Sequence, residues 1–134
     1  MCSSDLAAAG SLAITFVPAR HWSRRSPFDT NRSVWGGFVV QGGGTTIYHA
    51  GDSARFDGFR EIAARFPSID VALLPIGAYA PAWFMEEQHM NPEQALHALA
   101  ELRARAMVPM HWGDRKSTRL NSSHERLSRM PSSA

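Results

Sequence analysis

A short strand that ends in a glycine and an acid, residues 45–53, constrains the fold most strongly. It begins Thr-Thr-Ile-Tyr-His, and most of these residue types suit a pleated, half-buried surface. Gly51 then lets the backbone turn tightly, and Asp52 follows at the carboxyl end of the strand. A single carboxylate at such a position is most often a helix cap or a turn residue. The stretch therefore predicts a strand-to-helix junction and leaves the role of Asp52 open.

Two other apolar segments also run into a side chain that can bind a metal. Residues 12–19 lead to His21, and residues 107–110 lead to His111. Imidazole and carboxylate groups suit Zn²⁺, Mn²⁺ or Fe²⁺. Each histidine taken alone is more often a surface or hydrogen-bonded side chain, and three ligands do not fill two metal sites. His21, Asp52 and His111 are therefore candidate ligands only.

Strands and helices alternate along the chain, which predicts an α/β fold with functional residues at strand ends. The predicted strands are residues 12–19, 33–41, 45–49, 70–76 and 107–110, and the predicted helices are residues 53–66 and 91–105. The second helix has Asn91 as its cap, and its inward side chains are predicted to be Ala95, Leu96, Leu99 and Leu102. A flexible lead is expected at residues 7–11 and an aromatic loop at residues 77–90.

The two ends of the chain resemble translated sequencing adapter. Residues 1–6 back-translate to the end of a widely used short-read adapter, and residues 114–134 to its opposite strand with a sample index. We therefore expect residues 7–113 to form the domain and the ends to lie outside it. The alternative is a genuine Ser/Arg-rich disordered tail.

Excluding the ends changes what composition implies. They carry the whole formal net charge of +2, so residues 7–113 are near neutral and indicate no nucleic acid partner. Cys2, the single cysteine, also lies there, so disulfides are not indicated. No apolar run is long enough for a membrane span and no signal peptide is recognisable, which favours a cytoplasmic location. Residues 7–113 contain Arg and Ala but no Lys, which suggests a GC-rich bacterial genome.

Nucleophilic catalysis by a side chain is not favoured. The chain has no G-x-S-x-G elbow, and no cysteine lies in residues 7–113. His89 precedes the second predicted helix, where an anionic oxygen is stabilised. It is either a contact for such an oxygen or a loop histidine with a local hydrogen bond.

Seven short motifs occur in a recognisable order. They are Pro18-Ala19-Arg20-His21-Trp22, Val34-Trp35-Gly36, Ala50-Gly51-Asp52-Ser53, Pro75-Ile76-Gly77-Ala78-Tyr79, Trp83-Phe84-Met85, Gln88-His89-Met90-Asn91-Pro92-Glu93 and His111-Trp112-Gly113. Together they resemble the metallo-β-lactamase-fold hydrolases, in the branch of N-acyl-phosphatidylethanolamine-hydrolysing phospholipase D and its bacterial relatives.

The resemblance implies a fold, a reaction and residue roles. The fold is the C-terminal half of a four-layer αββα sandwich, and the complete enzyme holds two zinc ions, with Mn or Fe as alternatives. His21 is similar to a ligand of the first metal, Asp52 to the bridging carboxylate and His111 to a ligand of the second. His89 is similar to the catalytic histidine that contacts the substrate phosphate. The implied reaction is attack by metal-bound hydroxide on a small-molecule or lipid phosphodiester, reached in the cytoplasm or at a membrane surface.

The chain departs from the family in one respect. The family's H-x-H-x-D-H motif, which supplies the remaining ligands, does not occur in it. We therefore expect the chain to be a fragment that binds zinc weakly and has little activity. A lactonase or other ester hydrolase of the same fold, a metal-free binding module and, least favoured, a mononuclear iron oxygenase remain alternatives.

Overall fold

A computed structural model describes residues 6–21, 34–77 and 89–111 of the chain. Six strands form one sheet whose spatial order equals their order along the chain. The strands are β1 (Leu6–Ala9), β2 (Leu12–Val17), β3 (Gly37–Gly42), β4 (Thr45–His49), β5 (Val71–Pro75) and β6 (Ala106–Met110). Two helices, α1 (Gly58–Arg65) and α2 (Pro92–Leu102), follow β4 and β5. The predicted α/β architecture is confirmed.

The sheet is mixed because its two halves are connected differently. Strands β1 to β4 pair antiparallel, and β4, β5 and β6 pair parallel. Gly43 and Gly44 have φ of 59° and 77°, as the tight turn between β3 and β4 requires. Each parallel pair instead needs a crossover, and α1 and α2 lie in these connections. The carboxyl ends of β4, β5 and β6 therefore lie at one edge of the sheet.

One face of the sheet packs against the two helices. Thr15, Val39, Tyr48 and Ala72 are in register across four strands and are all buried. Alternation of side chains along a strand places them on the same face. The helices contribute Phe59, Ile62 and Ala63 from α1, and Ala95, Ala98 and Leu102 from α2. Tyr48 and Phe59 contact each other edge to face, with ring centroids 6.4 Å apart.

The opposite face of the sheet carries apolar side chains that remain partly exposed. Leu12, Phe38, Ile47 and Val108 are 41%, 43%, 37% and 47% exposed. Phe16 and Phe38 contact each other there at 5.4 Å between ring centroids. Among the described residues, helices thus cover one face only. We call this other surface the open face; it fits half of a layered sandwich, since a sheet buries both faces against other layers.

Three predicted elements differ from the structure. Residues 7–11 are not a flexible lead, because the backbone of residues 6–9 pairs with β2 through a turn at Gly10. The first helix begins at Gly58 rather than residue 53, because the backbone of Ala54 pairs with Arg20 instead. The strand predicted at residues 33–41 begins at Gly37.

The inward face of α2 also differs from the prediction at one position. Leu96 is 58% exposed, whereas Ala98 is fully buried. Ala95, Ala98 and Leu102 follow the three- and four-residue spacing of one helix face, and Leu96 lies off that stripe. Neither α1, with 8 residues, nor α2, with 11, is long and apolar enough to cross a membrane. Most of the predicted aromatic loop, and the terminal segment 114–134, lie outside the described residues.

Candidate metal centre

A glycine turn places Asp52 beyond the end of β4. Gly51 has a φ of 65°, and a Cβ there would lie 2.7 Å from the carbonyl oxygen of Gly36. Both the conformation and the close approach therefore favour glycine. The N–H of Gly51 donates to Nδ1 of His49 over 3.0 Å. His49 thus helps to hold the turn that carries the carboxylate.

His21 reaches the same place from β2. The strand ends at Val17, and the chain then pairs once more, as Arg20 bridges to Ala54. The N–H of Ala54 donates to the carbonyl oxygen of Arg20 over 2.8 Å. Because His21 follows Arg20 and Ala54 lies two residues after Asp52, this bridge brings the two side chains together.

His111 follows β6 in an unusual backbone conformation. Its φ is 56°, which is uncommon for a residue other than glycine, although His is among the residue types that adopt it more often. The N–H of Ile76 donates to the carbonyl oxygen of Met110 over 3.0 Å. A Cβ at Gly77 would lie 1.9 Å from the carbonyl oxygen of His111, so the chain ends of β5 and β6 approach closely. The unusual backbone conformation thus occurs at the residue whose side chain reaches Asp52.

His89 comes from the segment before α2. Asn91 caps this helix. Its side-chain oxygen accepts a hydrogen bond from the N–H of Gln94, and the side-chain oxygen of Gln94 accepts one from the N–H of Asn91. Met90, between His89 and the cap, is fully buried. Cap and buried Met90 together fix the position of His89, which is itself buried.

Three imidazoles surround the single carboxylate. Nδ1 of His89 and Nδ1 of His111 lie 3.0 and 3.2 Å from Oδ1 of Asp52. Nε2 of His21 lies 3.5 Å from Oδ2. The rings of His21 and His89 meet edge to face at 5.2 Å between centroids. The two carboxylate oxygens therefore face different histidines.

The donor set suits a divalent metal ion. The ligand atoms of His21, Asp52 and His89 all lie within 4.8 Å of one another. Imidazole nitrogen and carboxylate oxygen are ligands of Zn²⁺, Mn²⁺ and Fe²⁺. His89, predicted to contact substrate, thus lies as close to the carboxylate as the predicted ligands do. All four predicted site residues converge, and their individual roles stay predictions.

Sequence reasoning assigned no role in the site to two side chains beside Asp52. His49 lies in the predicted strand 45–49, and Ser53 stands at the start of the predicted helix 53–66. Their only signal in the sequence is that they flank Asp52 within three positions. The partners of their polar atoms, Gly51 and Arg20, become visible only in the fold.

The family follows from comparison with known proteins. The family described as the beta-lactamase superfamily domain matches residues 3–112. The chain belongs to the beta-lactamase superfamily. The resemblance stated from the motifs is thereby confirmed, and the histidines and the aspartate at the strand ends lie within the matched part of this superfamily domain.

Curated relatives carry the name of the branch identified from the motifs. The chain is 42% identical over 103 residues to the mitochondrial N-acyl-phosphatidylethanolamine-hydrolyzing phospholipase D of Saccharomyces cerevisiae, covering 75% of this chain and 22% of that protein. It is 36% identical over 104 residues to N-acyl-phosphatidylethanolamine-hydrolyzing phospholipase D 1 of Caenorhabditis elegans, covering 77% and 29%. The chain therefore spans about a quarter of the length of these relatives.

A solved structure shows the same fold. Igni18, a metallo hydrolase from Ignicoccus hospitalis, superposes with a TM-score of 0.65 at 28% identity. The match covers 92% of this chain and 51% of Igni18. The superfamily domain described here thus corresponds to about half of a metallo hydrolase, and its relatives are metal-dependent hydrolases.

Proposed function

We propose that the chain is part of a metal-dependent hydrolase of phosphodiesters. The observation that carries the proposal is the convergence of three imidazoles from three chain segments on Asp52, at 3.0 to 3.5 Å. The substrate class is supported by the names of the yeast and nematode relatives, which hydrolyse N-acyl-phosphatidylethanolamine. A lipid of this kind would be met in the cytoplasm, at a membrane surface.

The residues of the chain divide between two cation positions in this proposal. His21 and Asp52 would hold one ion, and His111 and Asp52 would hold the other. Zinc is the proposed metal, and manganese and iron fit the same donors. An ion bound there would polarise a phosphoryl oxygen and would supply a hydroxide nucleophile near neutral pH by lowering the pKa of water.

The protein's own contribution is charge and orientation. Asp52 carries the negative charge that partly compensates the cations. His89, held by its 3.0 Å contact with Oδ1, is proposed to contact an anionic oxygen of the substrate. Its position just before the capped N-terminus of α2 favours such an anion, because the helix dipole is positive there.

Alone, the chain lacks part of the proposed ligand set. The chain contains no H-x-H-x-D-H motif, so the ligands that this motif supplies must come from elsewhere in a complete enzyme. With only part of the ligand set, the isolated chain is expected to bind zinc weakly and to hydrolyse little. Weak binding remains measurable, which makes the donors testable one by one.

Zinc titration against a chelating indicator tests the site. Replacing His21, Asp52 or His111 by alanine should each weaken zinc binding at least about tenfold, the lower end of what a lost supporting contact costs. His97→Ala is the matched control, because His97 is an exposed histidine on α2. Equal affinity in all four variants and the parent would contradict the proposed site.

Substrate class is tested with zinc-loaded protein and three chromogenic compounds: a phosphodiester, a carboxylic ester and a lactone. We expect rates close to those of zinc alone for the isolated chain. Zinc-dependent turnover of the phosphodiester would contradict the expected inactivity and support the substrate class. Turnover of the lactone or ester instead would contradict the phosphodiester assignment.

A further inference from the structure

Ser53 is a fully buried polar residue directly after Asp52. Its hydroxyl accepts the N–H of Arg20 over 3.0 Å and donates to the carbonyl oxygen of Ala54 over 2.8 Å. The N–H of Ala54 in turn donates to the carbonyl oxygen of Arg20. One hydroxyl thereby completes a closed set of hydrogen bonds between two chain segments that are far apart in sequence.

These segments come from strands that are not neighbours. Strand β3 lies between β2 and β4, and two strands so separated are roughly 9.5 Å apart, twice the ordinary spacing. Beyond the start of β3, however, Arg20 and Ala54 pair directly. His21 and Asp52 are the residues next to Arg20 and Ser53. Their 3.5 Å approach therefore depends on this local junction rather than on the sheet ladder.

We propose that Ser53 is a positioning residue, whose hydroxyl fixes the separation between the side chains of His21 and Asp52. The inference rests on the proposed function for its meaning, because the two side chains are proposed to share a metal centre. Ser53 itself touches neither ion nor substrate. It acts by holding the backbone of Arg20 against the segment that carries Asp52.

The chemistry of the position explains why serine stands there. The junction requires one small group that both accepts and donates a hydrogen bond, and a hydroxyl does both. Alanine would leave the N–H of Arg20 without its acceptor. Cysteine has nearly the size of serine, but its thiol is a weak donor and a weak acceptor. The two substitutions therefore separate loss of hydrogen bonding from loss of volume.

The test compares Ser53→Ala and Ser53→Cys with Thr15→Val in the full 134-residue chain. Thr15 is a buried hydroxyl residue on β2, 4% exposed, so its replacement controls for the general cost of removing a buried hydroxyl. In both Ser53 variants the amide of Arg20 should exchange with deuterium at least about tenfold faster than in Thr15→Val, as expected for a local hydrogen bond worth about 1.4 kcal/mol.

Metal binding supplies the second readout. Co²⁺ bound to the parent chain should give a visible absorption band, and both Ser53 variants should bind Co²⁺ about 10- to 100-fold more weakly with a changed band, the range seen for residues that orient ligands. Thr15→Val should keep the band and the affinity. Should Ser53→Ala fail to fold, Ser53→Cys, which preserves volume, is expected to fold and to show the same changes.

The two proposals fail in different ways. If neither Co²⁺ nor Zn²⁺ binds the parent chain, the proposed function is overturned, and the exchange rate of the Arg20 amide still decides the role of Ser53. If the parent binds Co²⁺ and the Ser53 variants bind it equally well with an unchanged band, the positioning role is overturned and the metal site stands. An unchanged exchange rate at Arg20 in both variants overturns the positioning role as well.

Discussion

Tyr48 has a buried hydroxyl that forms no hydrogen bond within the described part of the chain. Burial raises the pKa of this phenol well above its ordinary value of about 10. Tyr48→Phe should therefore raise the free energy of unfolding by about 1 kcal/mol, since it removes an unsatisfied polar group. The ring, which contacts Phe59, is preserved. Urea denaturation at pH 8 measures the difference.

The same substitution should change the alkaline limb of the stability curve. Above about pH 10 the phenol ionises in the unfolded chain but stays protonated in the folded one, so the unfolded state binds fewer protons and stability falls as pH rises. In Tyr48→Phe, the part of this fall in stability that comes from the Tyr48 phenol should be absent. A phenylalanine variant that is less stable at pH 8 would show that the hydroxyl has a partner.

Residue types at strand ends predicted much of the candidate site. His21, Asp52 and His111 were candidate ligands because each follows an apolar segment predicted to be a strand, and the fold brings the three side chains together. The contact between His89 and Asp52 could not be predicted in this way, since it depends on the path of the chain before α2. The positive φ of 56° at His111 could not be predicted either, because the residue is not a glycine.

Helix α2 begins with a reciprocal cap formed by Asn91 and Gln94. The Asn91 side chain accepts the N–H of Gln94 over 2.8 Å, and the Gln94 side chain accepts the N–H of Asn91 over 3.1 Å. Asn91→Ala should lower the free energy of unfolding by about 1 kcal/mol, the usual cost of a lost cap. His97→Ala, exposed on the same helix, should stay within about 0.5 kcal/mol of the parent. Urea denaturation followed by circular dichroism measures both, and equal losses would contradict the capping role.

The two helices differ in how well the sequence predicted them. Asn91 and Pro92 are local signals, and they marked the start of α2 correctly. The start of α1 was placed five residues too early, because Asp52 has the residue type of a helix cap, whereas its side chain lies against distant histidines and the backbone of Ala54 pairs with Arg20. Local chemistry predicts an element boundary only where the partners of the polar groups are also local. Strand β1 was not predicted for a similar reason. Its alanines have low strand propensity, and its strand conformation depends on backbone pairing with β2, which its own sequence does not show.

At the scale of the whole molecule, the alternation of strands and helices predicted the α/β architecture, and in the structure α1 and α2 lie in the crossovers between the parallel strands β4, β5 and β6. The open face was expected from the resemblance, which implied a missing second sheet. Its side chains are those that alternate with the core residues along each strand. Val39 and Val40 are adjacent in β3 and belong to opposite faces. They therefore give a matched pair for testing which face stabilises the isolated chain.

Val39 is fully buried beside Tyr48, whereas Val40 pairs with Ile14 and Ile47 on the open face. Threonine has nearly the shape of valine and carries a hydroxyl in place of one methyl group. Val39→Thr should lower the free energy of unfolding by about 1–3 kcal/mol, the cost of a buried hydroxyl without a partner. Val40→Thr should change it by less than about 0.5 kcal/mol, because water reaches the open face. Urea denaturation at low protein concentration distinguishes the two variants.

Equal losses of stability in the two variants would mean that another layer covers the open face. A loss of stability in Val40→Thr that grows with protein concentration would identify that layer as a second copy of the chain.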